Sequence, residues 1–295
     1  MKIIRPEAIT DAVLTASNVP ETVAPYNPAT EYDKDDVVLR ASDHGLYESQ
    51  VDGNVGQSLD DPAKWLRIAP TNRWAMFDEY NQTQTASAES IEVELDPDGR
   101  ITGMALLNLD AASVTVVMTD DIDGEIYNQT LSLVDNGGIG NWYDYFFEPI
   151  IRKTDLVLTD LPVHFGPSII VTIDAPGGTA KCGNLVIGAV RDLGATVYGA
   201  GLGIIDYSKK EADEYGNVKI TARSYRKSGS FEVVTPRQLV DEVYRLLAQY
   251  RATPIVYVGT GEYASAAYFG FYRDANVVVE HAEQSTLNIQ IEGLS

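Results

Sequence analysis

The chain has 295 residues, of which 44% are hydrophobic and 22% charged, which suits globular protein divided into two or three domains. Its formal net charge is −21, with 27 acidic and 8 basic side chains in residues 1–150 against 16 and 14 in residues 151–295. So negative a surface repels phosphate backbones and argues against a nucleic-acid partner; the lack of an 18-residue apolar run excludes a membrane-spanning helix; and a single cysteine, Cys182, excludes an intrachain disulfide framework.

In chain order, MKIIRPEAITDAVLTASNVPE carries Lys2 and Arg5 but no continuous apolar stretch, so no signal peptide is expected. The sequons at Asn81 and Asn128 then carry no weight. Residues 1–24 read as an arm, extended or briefly helical through Ile9, Val13 and Leu14, that docks on another element or subunit. Residues 25–80 read as a small β-module. VVLR and LYESQV, with strands near 36–41 and 45–51, flank the turn SDHG, and Gly53, Gly56, Pro62 and Trp65 follow. NQTQTASAES reads as a polar linker.

Residues 89–192 read as a β-sandwich domain of jelly-roll type. IEVELD and ITGMALLNL flank Pro97-Asp98-Gly99, a hairpin signal. SVTVVMTDD, EIYNQTLSL, a loop DNGGIGNWYDYFF, TDLVLTDL, SIIVTIDA and NLVIGAV follow at sandwich spacing. Residues 193–295 read as an α+β domain with one helix on an antiparallel sheet. Strands surround an acidic turn, KKEADEYGN. The helix opens at Thr235-Pro236-Arg237-Gln238 with a capping box. It buries Leu239, Val240, Val243, Tyr244, Leu246, Leu247 and Tyr250, and stops at Pro254. The fold class is thus mainly β and multidomain, and no internal repeat interrupts it.

The signals for catalysis are sparse. His44, His164 and His281 fall in separate segments with no H-x-x-x-H or cysteine partner, so no zinc site is expected. No G-x-S-x-G marks a nucleophile. Asp120, Asp121, Asp123 and Glu125 invite a calcium reading, but the glycine comes too early for an EF-hand and the distal glutamate is missing. An exposed acidic turn is the better account. Nothing singles out a pair of carboxylates for glycoside hydrolysis. Gly199, Gly201 and Gly203 lack the Lys-Ser/Thr of a phosphate loop and read as strand packing or a bend. Cys182 reads as a buried small hydrophobe. No cofactor or metal is expected.

The aromatic rings carry the binding question. Tyr32, Tyr47, Trp65 and Trp74 either form the core of a module too small to hold much else, or present a face on which sugar rings stack. Tyr32, Asp36-Val37, Tyr47, Pro62 and Trp65 resemble the chitin-binding modules of carbohydrate-binding families 5 and 12, whose pattern is Y-x-x-G-D-x-V, then x-Y-x-A, then P and W. The chain departs at Asp35, where those modules have glycine, and at Glu48-Ser49. The continuation APTNRWAMFD is similar to a segment in structural proteins of tailed phages. LGIIDYSKKEADEYGN and LNIQIEGL add a general likeness to the same class. The resemblance implies a glycan-contacting role for Tyr32, Tyr47 and Trp65, with Trp65 or Tyr47 the choice if one ring is free, and Trp74 joins them as a candidate on its ring alone. It also implies a non-enzymatic tail or baseplate subunit, of distal-tail or adaptor type, made in the host cytoplasm and placed in the virion. Its partners would be copies of itself, other tail proteins and host polysaccharide. Residues 193–295, with or without the N-terminal arm, would form a ring, and 25–190 would face outward. A soluble glycan-binding protein and a glycan-degrading enzyme are the competing classes.

Overall fold

The computed structural model describes the chain except residues 81, 82, 136, 138, 139, 148, 150, 213–217, 262, 280 and 295. The sequon at Asn81 and most of the KKEADEYGN turn lie outside the described residues. Strand outweighs helix, 53% against 8%, so the mainly β, multidomain class holds.

The largest element is a ten-stranded antiparallel sheet. Its order runs Leu156–Leu158, Gly103–Leu107, Asn184–Asp192, Lys2–Pro6, Ile255–Val258, Ala267–Val278, Gln284–Gly293, Tyr225–Pro236 and Ala195–Thr196, with Gly201–Asp206 also paired to Tyr225–Pro236. The first residues of the chain are therefore a central strand. Lys2–Pro6 pairs on one side with Asn184–Asp192 and on the other with Ile255–Val258. Strand alternation sends Ile3 into one core and Ile4 into another. The boundary expected near residue 192 is crossed by this sheet, and the expected arm 1–24 is built into the body. Apolar alternation within each strand was readable, but the partner that each strand would choose was not.

A second sheet of five strands has the order Leu14–Ser17, Thr85–Leu95, Ser168–Cys182, Ser113–Asp120 and Gly124–Ser132. Its inner residues Ile91, Val93, Val114, Val116, Ile169 and Val171 pack with Met104, Leu106, Leu185 and Ile187 of the larger sheet. This is a two-sheet sandwich. The supposed linker is partly the strand Thr85–Leu95. Pro97-Asp98-Gly99 does not close a hairpin, because the strands before and after it belong to different sheets. Ile101, fully buried in the sandwich core, draws the chain across. The loop 135–147 contains a short helix, Trp142–Phe147.

The helix Val240–Gln249 buries Val243 and Leu247 against Phe231, Val233, Ile255, Leu287 and Ile289. The capping box does not form. Thr235 and Pro236 end a strand, and Thr235 Oγ1 donates to the Leu193 carbonyl at 2.7 Å. A 3-10 turn, Arg237–Leu239, leads in without a side-chain cap. Tyr244 lies outside the buried stripe and is exposed.

Candidate functional site: the aromatic module and an exposed ribbon

Within residues 25–80, three strands form a separate antiparallel sheet: Val37–Arg40, Gly45–Ser49 and Trp65–Pro70. The register sets Val38 opposite Tyr47 and Ser49 opposite Trp65. Val38, Tyr47, Leu59 and Trp65 are the buried core, with Tyr26 and Tyr32 packed against it. Trp65 meets Tyr26 edge-on at 5.6 Å and Tyr32 at 5.4 Å, and the two tyrosines stack at 5.9 Å. A sheet this small has few other apolar residues, so its rings turn inward.

The structure separates the four singled-out residues. Trp65 and Tyr47 are 2% and 4% exposed. Neither is free to stack on a sugar, contrary to the expectation that they would be the most available. Tyr32 is half-buried, and its hydroxyl accepts from the Asn27 amide at 2.9 Å. Trp74 lies beyond the three strands and belongs to a different contact. It stacks on His44 at 3.8 Å with an interplanar angle of 12°. The rings thus do not form one face. Leu66 and Ile68 of the last strand are exposed instead. They alternate with buried Trp65 along the strand, a pattern that by itself does not say which face is covered.

Asp35, which stands where the resembled modules have glycine, has φ of 71°. That is the left-handed region glycine favours and aspartate tolerates. Its amide donates to the Ser49 carbonyl at 2.8 Å, fixing the turn into the first strand. Nearby, Arg40 donates to Asp60 and Asp43 at 2.5 and 2.6 Å and to the Tyr47 hydroxyl, and that hydroxyl donates to Asp43 at 2.5 Å. The Arg40 hydrogen bond holds the Asp43 carboxyl well below the usual carboxylate range. Burial, followed by the Asp43 contact, raises the Tyr47 phenol.

His164 has no histidine or cysteine partner in the sequence pattern, and in the structure its Nδ1 is 3.7 Å from Asp120 and 3.9 Å from Asp123. One ligand atom from each of these three residues lies within 4.8 Å of the others, so they could hold a cation. Asp120 Oδ1 already accepts the amides of Ile122 and Asp123, and these bonds lower its pKa. No distal glutamate joins the group among the described residues. Glu125 Oε2 accepts from Asn128 at 3.0 Å. Cys182 is fully buried in the sandwich core, where desolvation pushes its thiol up to about 12.

Strands were expected on both sides of KKEADEYGN, but their exposure as a ribbon was not. Gly201–Asp206 pairs with Tyr225–Pro236, and beyond it Lys209–Ala212 pairs with Val218–Thr221 as a two-stranded sheet of its own. Leu202, Ile204, Val218, Ile220 and Tyr225 are all exposed along it. Apolar residues in strand alternation look alike whether or not a layer covers them, so the sequence alone could not reveal their exposure. No protein-family model matches this chain, and a comparison with curated proteins finds no match.

Proposed function

We propose that this chain is a non-enzymatic structural subunit of a phage tail or baseplate, assembling with copies of itself and presenting the module of residues 25–80 to host polysaccharide. The observation that carries the assembly reading is the ribbon. Ile204, Val218 and Ile220 are 71%, 62% and 64% exposed on strands that no other layer covers among the described residues. Exposed apolar surface of this kind marks interaction sites. The tail assignment rests on the likeness of APTNRWAMFD and the C-terminal segments to phage structural proteins. The left-handed backbone at Asp35, where the resembled modules have glycine, supports kinship of the module with sugar-binding folds.

Mass photometry and negative-stain imaging of the purified chain test this reading. Closed oligomers are expected, and a monomer at every concentration through the micromolar range refutes assembly. Retention on chitin by such a monomer would favour a soluble glycan-binding protein, and reducing-sugar release would favour an enzyme. With Trp65 and Tyr47 in the core, the glycan test belongs to Tyr32→Ala and Trp74→Ala in folded protein.

A further inference from the structure

Gly201–Asp206 lies at the margin of the ten-stranded sheet. One of its edges is paired with Tyr225–Pro236, and the other has no strand partner among the described residues. Directly opposite residues of an antiparallel pair share a face. Leu202 opposes Gly229, Ile204 opposes Lys227, and Asp206 opposes Tyr225, so Leu202, Ile204 and Tyr225 form one apolar row. Further out, Lys210 opposes Ile220 and Ala212 opposes Val218, while Lys209 and Glu211 face the other way with Thr221 and Lys219. A free two-stranded ribbon is marginal in water. One with exposed Ile220 and Val218 gains from being covered.

Charge indicates what covers it. Residues 201–229 carry six basic and four acidic side chains, a net of +2 in a chain of −21. Residues 101–151 carry eight acids and no base. That stretch contains Gly124–Ser132, the marginal strand of the five-stranded sheet, whose outer edge also lacks a strand partner among the described residues. Asp121, Asp123 and Glu125 are exposed at its start. Two ribbons facing each other would oppose like charges, as would two acidic margins. Ribbon against acidic margin is the complementary pairing.

We propose that the ribbon of one copy docks on the acidic margin 121–132 of the next copy, adding its open strand edge to Gly124–Ser132. This deepens the assembly reading above and rests on it. The contact is heterologous, so its repetition gives a ring where the rotation closes and a filament where it does not. Backbone pairing supplies hydrogen bonds along the edge, and the apolar row supplies the buried centre. Lys210, on the face of Ile220 and Val218, and Arg223 supply the match to Asp121, Asp123 and Glu125.

The test is the dissociation constant of the full chain's self-association, read by mass photometry for four proteins of equal thermal stability. The wild type is expected to assemble, more weakly at high salt. Ile204→Asp with Ile220→Asp should weaken assembly by at least about tenfold, the equivalent of roughly 1.4 kcal/mol. Lys210→Glu and Arg223→Glu together should weaken it, and so should Asp121→Lys, Asp123→Lys and Glu125→Lys together. Mixing the two charge-reversed proteins should restore assembly, because the native ribbon of one meets the native margin of the other and the acidified ribbon meets the basic margin. These residues are exposed, so folding is not at stake, and melting curves verify that. Assembly unchanged in the apolar and ribbon variants overturns the ribbon's role while leaving the assembly reading intact. Loss in the ribbon variants with none in the margin variant overturns the acceptor. A wild type that stays monomeric overturns both readings.

Discussion

Trp65→Ala puts the module's construction to the test. The side chain is 2% exposed and in edge contact with both Tyr26 and Tyr32. Burying a tryptophan removes roughly 200 Å² from water, worth roughly 5 kcal/mol at about 25 cal/mol per Å². Truncations of this type cost about 3–5 kcal/mol. A core of four buried residues, three on short strands and Leu59 in the loop before the last, supplies about 3–5 kcal/mol at most. The substitution therefore should unfold the module. It should not unfold the body, because Met76, past the last of the three strands, sits in the sandwich core and not in the module's own core, and Thr71 Oγ1 donates to Glu21 at 2.9 Å. Hydrogen exchange read by mass spectrometry is the assay. Amides in 37–49 and 65–70 should lose protection, while 168–182 and 284–293 keep theirs. Native protection throughout the module, accompanied by lost glycan retention, would refute the reasoning and return Trp65 to a sugar-binding face. Trp65→Phe should be mild, since no acceptor meets Trp65 Nε1 among the described residues and its loss leaves nothing unpaired.

Gly188→Ala should lower the melting temperature and speed exchange in residues 2–6, because the new methyl would overlap the Arg5 carbonyl, at a cost of about 1–3 kcal/mol or more. Asp35→Gly should leave the module as stable or gain up to about 1 kcal/mol in urea unfolding, because it relieves a left-handed aspartate. Cys182 should resist thiol reagents in the folded protein and react on unfolding, as a thiol pushed up to about 12 and fully buried requires. Asp43 has a folded pKa below its ordinary 3.8, so its contribution is complete above that value and is lost as pH falls through the folded one. Asp43→Asn should destabilise the module at neutral pH and flatten its acid dependence in denaturant melts.

Local signals were legible where chemistry acts over a few residues. VVLR and LYESQV became the first two strands of the module, and the alternation in SVTVVMTDD and EIYNQTLSL became a true hairpin. Val243 and Leu247 landed on the buried stripe of the helix as their spacing implied. The Pro97-Asp98-Gly99 turn misled because a turn fixes a change of direction, not the sheet that the next strand joins. Thr235 misled because its hydroxyl had a better acceptor, the Leu193 carbonyl, 42 residues away in sequence.

The candidate site shows the same division. That aromatic residues define the module followed from composition and spacing. Which of them face water did not, because a ring at an alternating position is equally consistent with core and surface. Trp65 and Tyr47 turned inward, and Trp74 found His44. His164 gained two carboxylate neighbours through a long-range approach that no local spacing encodes.

Sequence by itself determined a strongly acidic, strand-rich chain with one aromatic module, one amphipathic helix and a lone cysteine, since these follow from residue type and short-range periodicity. Only the tertiary structure decided that Lys2–Pro6 is a central strand joining two halves of one sheet, that the four rings do not share a face, and that the apolar side chains of Gly201–Asp206 and Val218–Thr221 stand exposed. Strand pairing is a long-range choice, set by which edges and faces are left over when all other strands have found partners. Exposure of an apolar residue is fixed only once that choice is complete.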